Sequence, residues 1–186
     1  MSDIENIITE SSETILSLKN NTAEIQKSID SITHCLNSGK KILVFGNGGS
    51  AADSQHMVAE FLGRFLKERK SLPAISLTTD TSTITSLSND YSYDIVFSRQ
   101  CESLVESGDV VIGISTSGNS LNVINGLKTS HKKGATTIAF LGNDGGQIKN
   151  LVDIPIVVNS YSTPRIQEAH RTIYHIICEL VEKSFL

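Results

Sequence analysis

The chain is expected to fold as a three-layer α/β sandwich around about five parallel strands, preceded by a helical segment. Three observations predict this. Short apolar runs alternate with segments of helical periodicity from Lys41 onward. The runs are continuously apolar rather than alternating, as a parallel sheet covered on both faces requires. Strands separated by helices build βαβ units, whose crossovers are right-handed.

The elements follow in order. Ile4, Ile7, Ile8, Ile15, Leu18, Ile25, Ile29, Ile32 and Leu36 recur at helical spacing, predicting a long helix broken near Asn20-Asn21 and ending at Gly39. Such a leading helix either packs on a second subunit or covers its own sheet. Lys41–Phe45 reads as the first strand, stopped by Gly46-Asn47-Gly48-Gly49, and Ser50 to about Phe65 as a helix. Pro73–Leu77 reads as the second strand. Thr81 to Val105 reads as one broken helix or two short ones. Asp109–Ile114 is the third strand, Ser120–His131 a helix, Thr136–Leu141 the fourth strand and Ile154–Val158 the fifth. A final helix spans about Pro164 to Lys183, with proline suited to its first turn. The 186 residues are expected to form one domain, with a helical segment over 1–39 and an α/β core over 40–186.

Composition excludes several classes. Hydrophobic residues are 39% and charged residues 19%, unlike a disordered chain. A net charge of −4 argues against nucleic acid as a partner, which calls for a concentrated basic face. Cys35, Cys101 and Cys178 are odd in number and far apart, so they read as reduced core thiols of a cytoplasmic protein. The N-terminus has no basic and apolar leader pattern, and no apolar run approaches the roughly 20 residues that span a bilayer, so no membrane association is expected.

Ligands of open α/β sheets bind beyond the carboxyl ends of the strands, so the loops there are the candidate site. Gly46-Asn47-Gly48-Gly49 permits tight backbone angles and close approach of a ligand. Ser50 and Asp53 have capping-box spacing, which predicts a helix start whose free N–H groups favour an anion. Gly46-x-Gly48-x-x-Ala51 also fits a dinucleotide fingerprint, with Asp80 as a possible ribose ligand, but the pattern alone is weak. The third strand runs into Ser115-Thr116-Ser117-Gly118-Asn119-Ser120, with four hydroxyls before a helix. One hydroxyl suffices for a cap. Four, with backbone N–H groups, suit a phosphate, and a dinucleotide fold has no need of them.

His56 and Glu60 lie four apart on one helix face, with Asp53 on the same stripe. On the last helix Gln167 and His175 are eight apart, about 80° around it and roughly 12 Å along it. Taken alone, His175 reads as a satisfied core histidine and His170 as a surface residue. Asn89-Asp90 reads as a turn.

The segments GNGGSAADSQHMVAEFLGRF, LSNDYSYDIVFSRQ, GISTSGNSLNVI, LGNDGG and RIQEAHRTIYH, in this order from about residue 41 to the C-terminus, resemble the phosphoheptose isomerases of the sugar-isomerase (SIS) fold. Ser92 stands where that family often has Gly. The resemblance implies a flavodoxin-like doubly wound sheet and conversion of sedoheptulose 7-phosphate, a phosphorylated seven-carbon sugar, to D-glycero-D-manno-heptose 7-phosphate for surface polysaccharide. It implies substrate contacts from Asn47, Gly48, Gly49, Ser50, Glu60, Asn89, Asp90, Ser115, Thr116, Ser117, Ser120 and Gln167. It also implies one zinc per subunit on His56, Glu60, Gln167 and His175, Glu60 and His175 as the acid–base pair, and a cytoplasmic homotetramer with active sites at subunit interfaces.

These roles suit the chemistry. An aldose–ketose isomerase moves a proton between C1 and C2 and between their oxygens, and stabilises the enediolate formed on the way. Glu60 can serve the carbon and His175 the oxygens. Zinc accepts nitrogen and oxygen ligands and polarises a carbonyl. A carboxylate held tightly by zinc is a poorer base, so Glu60 is expected to bind loosely or to change partner during turnover. Asp53 is expected to orient His56. The alternative is a non-catalytic SIS protein that binds a replication initiator or senses sugar phosphates. Such relatives are expected to lack the acid–base pair, which this chain has.

Overall fold

The computed structural model describes residues 2–186. Helices α1 (Asp3–Ser17) and α2 (Thr22–Asn37) are separated by a 3-10 turn over Leu18–Asn21, at the predicted break. A capping box starts α1: the Ser2 hydroxyl accepts from the Glu5 N–H, and the Glu5 carboxylate accepts from the Ser2 N–H. The two helices differ in burial. None of α1 is buried, whereas α2 buries Ile25, Ile29 and Ile32 under the sheet. Side chains tether α1 to the last helix: Arg165 donates to the Ile7 carbonyl at 2.9 Å, and the Ser11 hydroxyl to Glu168 at 2.7 Å.

The strands are β1 (Ile42–Gly46), β2 (Ala74–Ser76), β3 (Val110–Ser115), β4 (Thr136–Leu141) and β5 (Ile154–Val157). They form one parallel sheet of five strands in the order β2-β1-β3-β4-β5. The helices between and after them are α3 (Gly49–Leu62), α4 (Thr81–Asp90), α5 (Val96–Leu104), α6 (Leu121–Lys132) and α7 (Thr163–Lys183). The segment from Thr81 to Val105 is thus two helices, joined through a 3-10 turn at Tyr93–Ile95.

Alternate strand residues feed opposite layers. Ile42, Val44, Ile112, Ile114 and Phe140 pack with Met57, Phe61, Ile173 and Ile177 of α3 and α7. Leu43, Phe45, Val111 and Leu141 pack with Phe97, Val123 and Leu127 of α5 and α6. Both faces are covered, which is why the strands carry no polar alternation. Phe45 stacks on Phe97 with ring centroids 4.8 Å apart. Burying a ring of this size contributes about 1.5–3 kcal/mol. Cys35, Cys101 and Cys178 are free and buried in these layers.

The topology locates a crevice. From β1 the chain leaves through α3 to β2 on one side, and from β3 through α6 to β4 on the other. The order reverses between β1 and β3, and ligands of doubly wound sheets bind outside the carboxyl ends at such a reversal. The glycine loop and the hydroxyl loop border this point.

Candidate active site

The glycine loop turns at Gly48, where φ is +54° and ψ is −120°, a conformation that L side chains rarely adopt. Gly48 is the N-cap and α3 starts at Gly49, so the expected capping box at Ser50 and Asp53 does not form. Ser50 is buried in the first turn, and Asp53 faces α7 instead. Their spacing marks a shared helix face, which the capping-box pattern mimics. The Asn47 amide is engaged at its oxygen and at one N–H: it exchanges two hydrogen bonds of 2.9 Å with Asn122 and accepts a third, also 2.9 Å, from the Tyr93 hydroxyl. Asn47 thereby joins the loop after β1 to α6 and to the segment following α4.

Gly49 is opposed by Gln167 of α7. A Cβ at Gly49 would lie 2.5 Å from Gln167 Nε2, so only glycine admits the amide there. Gln167 and the glycine loop therefore meet, as the sequence reading required of two segments far apart in the chain.

In the hydroxyl loop Ser115 and Ser120 are paired at 3.1 Å. Ser120 is the N-cap of α6, yet its hydroxyl makes no cap bond. The loop's hydroxyls therefore do not serve as an ordinary cap, and the helix N-terminus remains able to receive an anion. The two residues that follow the LGNDGG stretch buttress this loop: Gln147 N–H donates to Asn119 at 3.1 Å, and Ile148 N–H to the Gly118 carbonyl at 3.0 Å.

The face of α3 meets α7 beside these loops. His56 Nε2 lies 3.0 Å from Glu60 Oε1. The His175 ring is edge-on to His56, centroids 5.3 Å apart, and edge-on to Tyr174 at 4.7 Å. His56 Nδ1 is 2.9 Å from the Tyr174 hydroxyl, which also lies 3.4 Å from Asp53 Oδ1, and Arg171 donates to the same Asp53 oxygen at 2.9 Å. Asp53 thus reaches His56 through Tyr174, so an orienting role for it passes through that hydroxyl. Burial, reinforced by the Asp53 carboxylate, pushes the Tyr174 phenol up to about 12, so it is a neutral hydroxyl at neutral pH. Burial and the neighbouring His56 lower His175, favouring its neutral form.

His175 is no satisfied core histidine: its Nε2 is buried without a hydrogen-bond partner. His170 is not a surface residue. It is fully buried, and its Nε2–H donates to the Leu141 carbonyl at 3.0 Å. Asn89 and Asp90 close α4, bond each other at 2.9 Å and make no hydrogen bond to the other site side chains. Tyr93, three residues beyond, ties their segment to Asn47. Asp80 caps α4 through bonds to Thr83 of 3.0 and 2.6 Å, which occupies both carboxylate oxygens. Ser92, extended at φ −164°, caps the turn at Tyr93–Ile95, a conformation that needs no glycine.

Tyr174, Arg171, Asn122 and Tyr93 escaped the sequence reading. A tyrosine among Ile173, Ile176 and Ile177 reads as core, and only the partner helix reveals what its hydroxyl meets.

His56, Glu60, Gln167 and His175 offer the nitrogen and oxygen donors that zinc accepts. Among the described residues, no three His, Cys, Asp or Glu side chains are gathered in a metal-holding arrangement. His56 and Glu60 are instead closed on each other. The orphaned Nε2 of His175 beside them fits the donor set, provided that the His56–Glu60 pair opens.

Residues 8–142 match the SIS domain family, a match that begins inside α1. The phosphoheptose isomerase of Aquifex aeolicus is 58% identical over 152 residues, covering 82% of this chain and 80% of the relative. That of Citrifermentans bemidjiense is 55% identical over 160 residues, covering 86% and 83%. The solved phosphoheptose isomerase of Neisseria gonorrhoeae superposes with a TM-score of 0.92 at 38% identity over 97% of both chains. The chain belongs to the SIS domain family and, within it, to the phosphoheptose isomerases. No helix is long and apolar enough to cross a membrane among the described residues.

Proposed function

We propose that this chain isomerises sedoheptulose 7-phosphate to D-glycero-D-manno-heptose 7-phosphate through an enediolate, in the cytoplasm, providing heptose for surface polysaccharide. One observation carries the reading. Glu60 and His175, 115 positions apart in the sequence, flank the same imidazole, His56, next to the crevice between β1 and β3.

In this reading the hydroxyl loop and the α6 N-terminus hold the phosphate, and the glycine loop with Gln167 holds the sugar. Glu60 removes the proton from the carbon beside the carbonyl and returns it to the neighbouring carbon. His175, neutral at working pH, passes the proton between the two oxygens. Its buried, unpaired Nε2 supports a place in this centre, and because that nitrogen has one lone pair, His175 takes the substrate proton only while it is off the metal. His56, Glu60, Gln167 and His175 would hold one zinc per subunit. When bound, it would polarise the carbonyl as a Lewis acid. Glu60 has two roles in this scheme, so it exchanges partners during turnover, and its single contact to His56 leaves it free to do so.

A homotetramer is part of the proposal. Ile4, Ile7, Ile8 and Leu16 on α1 are exposed, and an open apolar groove of about 440 Å³ runs between Ile15, Ile25 and Ile29 on one side and Ile176 and Leu180 on the other. Apolar surface of this kind is suited to further copies of the chain. Light scattering on the purified protein tests the tetramer.

The test of function is incubation with sedoheptulose 7-phosphate in deuterated water, followed by NMR. Formation of the aldose with deuterium at C2 is expected. No product, with no exchange of a carbon-bound proton, would refute the isomerase reading.

A further inference from the structure

We propose that Tyr174 is a positioning residue for His56: its hydroxyl, shared with Asp53, is a two-way hydrogen-bond partner that sets which imidazole nitrogen carries the proton. The inference rests on the reading of His56 as part of the metal-binding centre. It adds a residue that the family resemblance does not assign.

The argument begins with burial. Tyr174 is fully buried, and a buried phenol needs a polar partner. Here two groups converge on it, His56 Nδ1 at 2.9 Å and Asp53 Oδ1 at 3.4 Å. The hydroxyl has one proton to give, so it serves one of them and accepts from the other or from none. A neutral imidazole likewise carries one proton. Two arrangements satisfy these counts. In the first, His56 Nε2–H donates to Glu60, and the Tyr174 hydroxyl donates to Nδ1. Asp53 is then held by Arg171, at 2.9 Å. In the second, Nδ1–H donates to the Tyr174 oxygen, and the Tyr174 hydroxyl donates to Asp53. Nε2 then presents a lone pair, and Glu60 is released.

Both arrangements hold the same number of protons. One leaves Nε2, one arrives at Nδ1, and the hydroxyl hydrogen rotates from the ring to the carboxylate. The first matches the short His56–Glu60 contact. The second is the form that an imidazole takes as a metal ligand through Nε2, with its other nitrogen donating to an oxygen. Arg171 anchors Asp53 in both, so the carboxylate need not move. A phenylalanine at position 174 would keep the packing and remove this choice. The ring of His56 would then have no partner at Nδ1.

The test uses full-length protein labelled with 15N-histidine. Long-range 1H–15N spectra of the metal-free protein report both nitrogens of His56, assigned with His56→Gln. A changed tautomer balance is expected in Tyr174→Phe. Zinc affinity, measured by competition with a chromophoric chelator, should fall by about 10–100-fold, the usual loss when a partner behind a metal-bound histidine is removed. Asp53→Asn keeps the hydroxyl, loosens the Arg171 contact equally in both arrangements, and weakens the acceptor that the hydroxyl uses only in the second. It should lower zinc affinity while leaving the metal-free spectrum of His56 close to wild type, and it carries the test if Tyr174→Phe does not fold. Unchanged His56 nitrogens in a folded Tyr174→Phe, or unchanged zinc affinity in both variants, overturns the proposal. A wild-type protein that takes up no zinc, with His56 nitrogens that still respond to Tyr174→Phe, would defeat the metal reading and sustain the role of Tyr174.

Discussion

Glu60 Oε1 sits 3.0 Å from His56 Nε2, and the ring of His175 stands edge-on to the same imidazole. The two side chains proposed as the acid–base pair are thereby brought together from α3 and α7 of one chain. Glu60→Gln and His175→Asn should each lower turnover by about 10²–10⁴, the usual contribution of a positioned acid or base. Circular dichroism should remain that of the wild type. Near wild-type turnover in either variant would remove that residue from the acid–base pair.

The hydroxyl loop is expected to act on binding. Ser117→Ala and Ser120→Ala should raise KM with kcat little changed, because a phosphate remote from the reacting carbons is held equally in the ground and transition states. Ser120 makes no helix-cap bond, so its loss should shift Tm only slightly. A fall in kcat with constant KM contradicts this assignment.

Gly49→Ala separates the site from the fold. The new Cβ would meet Gln167 Nε2 at 2.5 Å, and the flexible amide can swing away at little cost to stability. Tm should stay close to wild type while activity falls about 10-fold or more, as when a group ordering a site is displaced. Equal loss of Tm and activity would show that the contact is structural only.

Acid should weaken the fold through His170. Burial lowers its pKa from the ordinary 6.5 to about 4 in the folded protein. Between those values the unfolded chain binds the proton more readily, so stability is lost as pH falls from about 6.5 toward 4. The full loss is about 3 kcal/mol. Urea unfolding at pH 7 and at pH 4.5 measures it. His170→Gln should flatten the dependence, and an unchanged slope would rule out His170 as its source.

Arg69 secures the end of α3 that carries Glu60. Its guanidinium donates to the carbonyls of Glu60, Phe61, Gly63 and Lys70, and its Nε lies 3.3 Å from Glu182. Glu182 in turn accepts from the N–H groups of Phe65, Leu66 and Lys67 at 2.8, 2.8 and 2.9 Å. Both side chains are 2% exposed, so removing one strands the other. Arg69→Ala should cost about 3–5 kcal/mol, the range for breaking a buried pair. Chemical denaturation checks this, and a change under 1 kcal/mol would show that the pair is dispensable.

The strands, the two loops beyond β1 and β3 and the approximate helix spans could be read from residue order, because each depends on local physics, whereas α3 starts at Gly49 and stops at Leu62 rather than near Phe65. A strand covered on both faces must be apolar throughout, as Leu43-Val44-Phe45 and Ile138-Ala139-Phe140 are, and glycine or clustered hydroxyls mark where the chain turns toward a ligand. The pairing of helix faces was another matter. α7 is buried on more than one side, so periodicity could not say that His170 turns to β4, that Tyr174 turns to His56, or that His175 keeps a bare nitrogen. Ser50 and Asp53 looked like a cap because the same three-residue step marks both a cap and a helix face, and Gly48 took the cap through its left-handed backbone. Which polar groups share a buried space depends on contacts between segments more than a hundred residues apart, as Asp53 and Tyr174 show, and only folding brings these together.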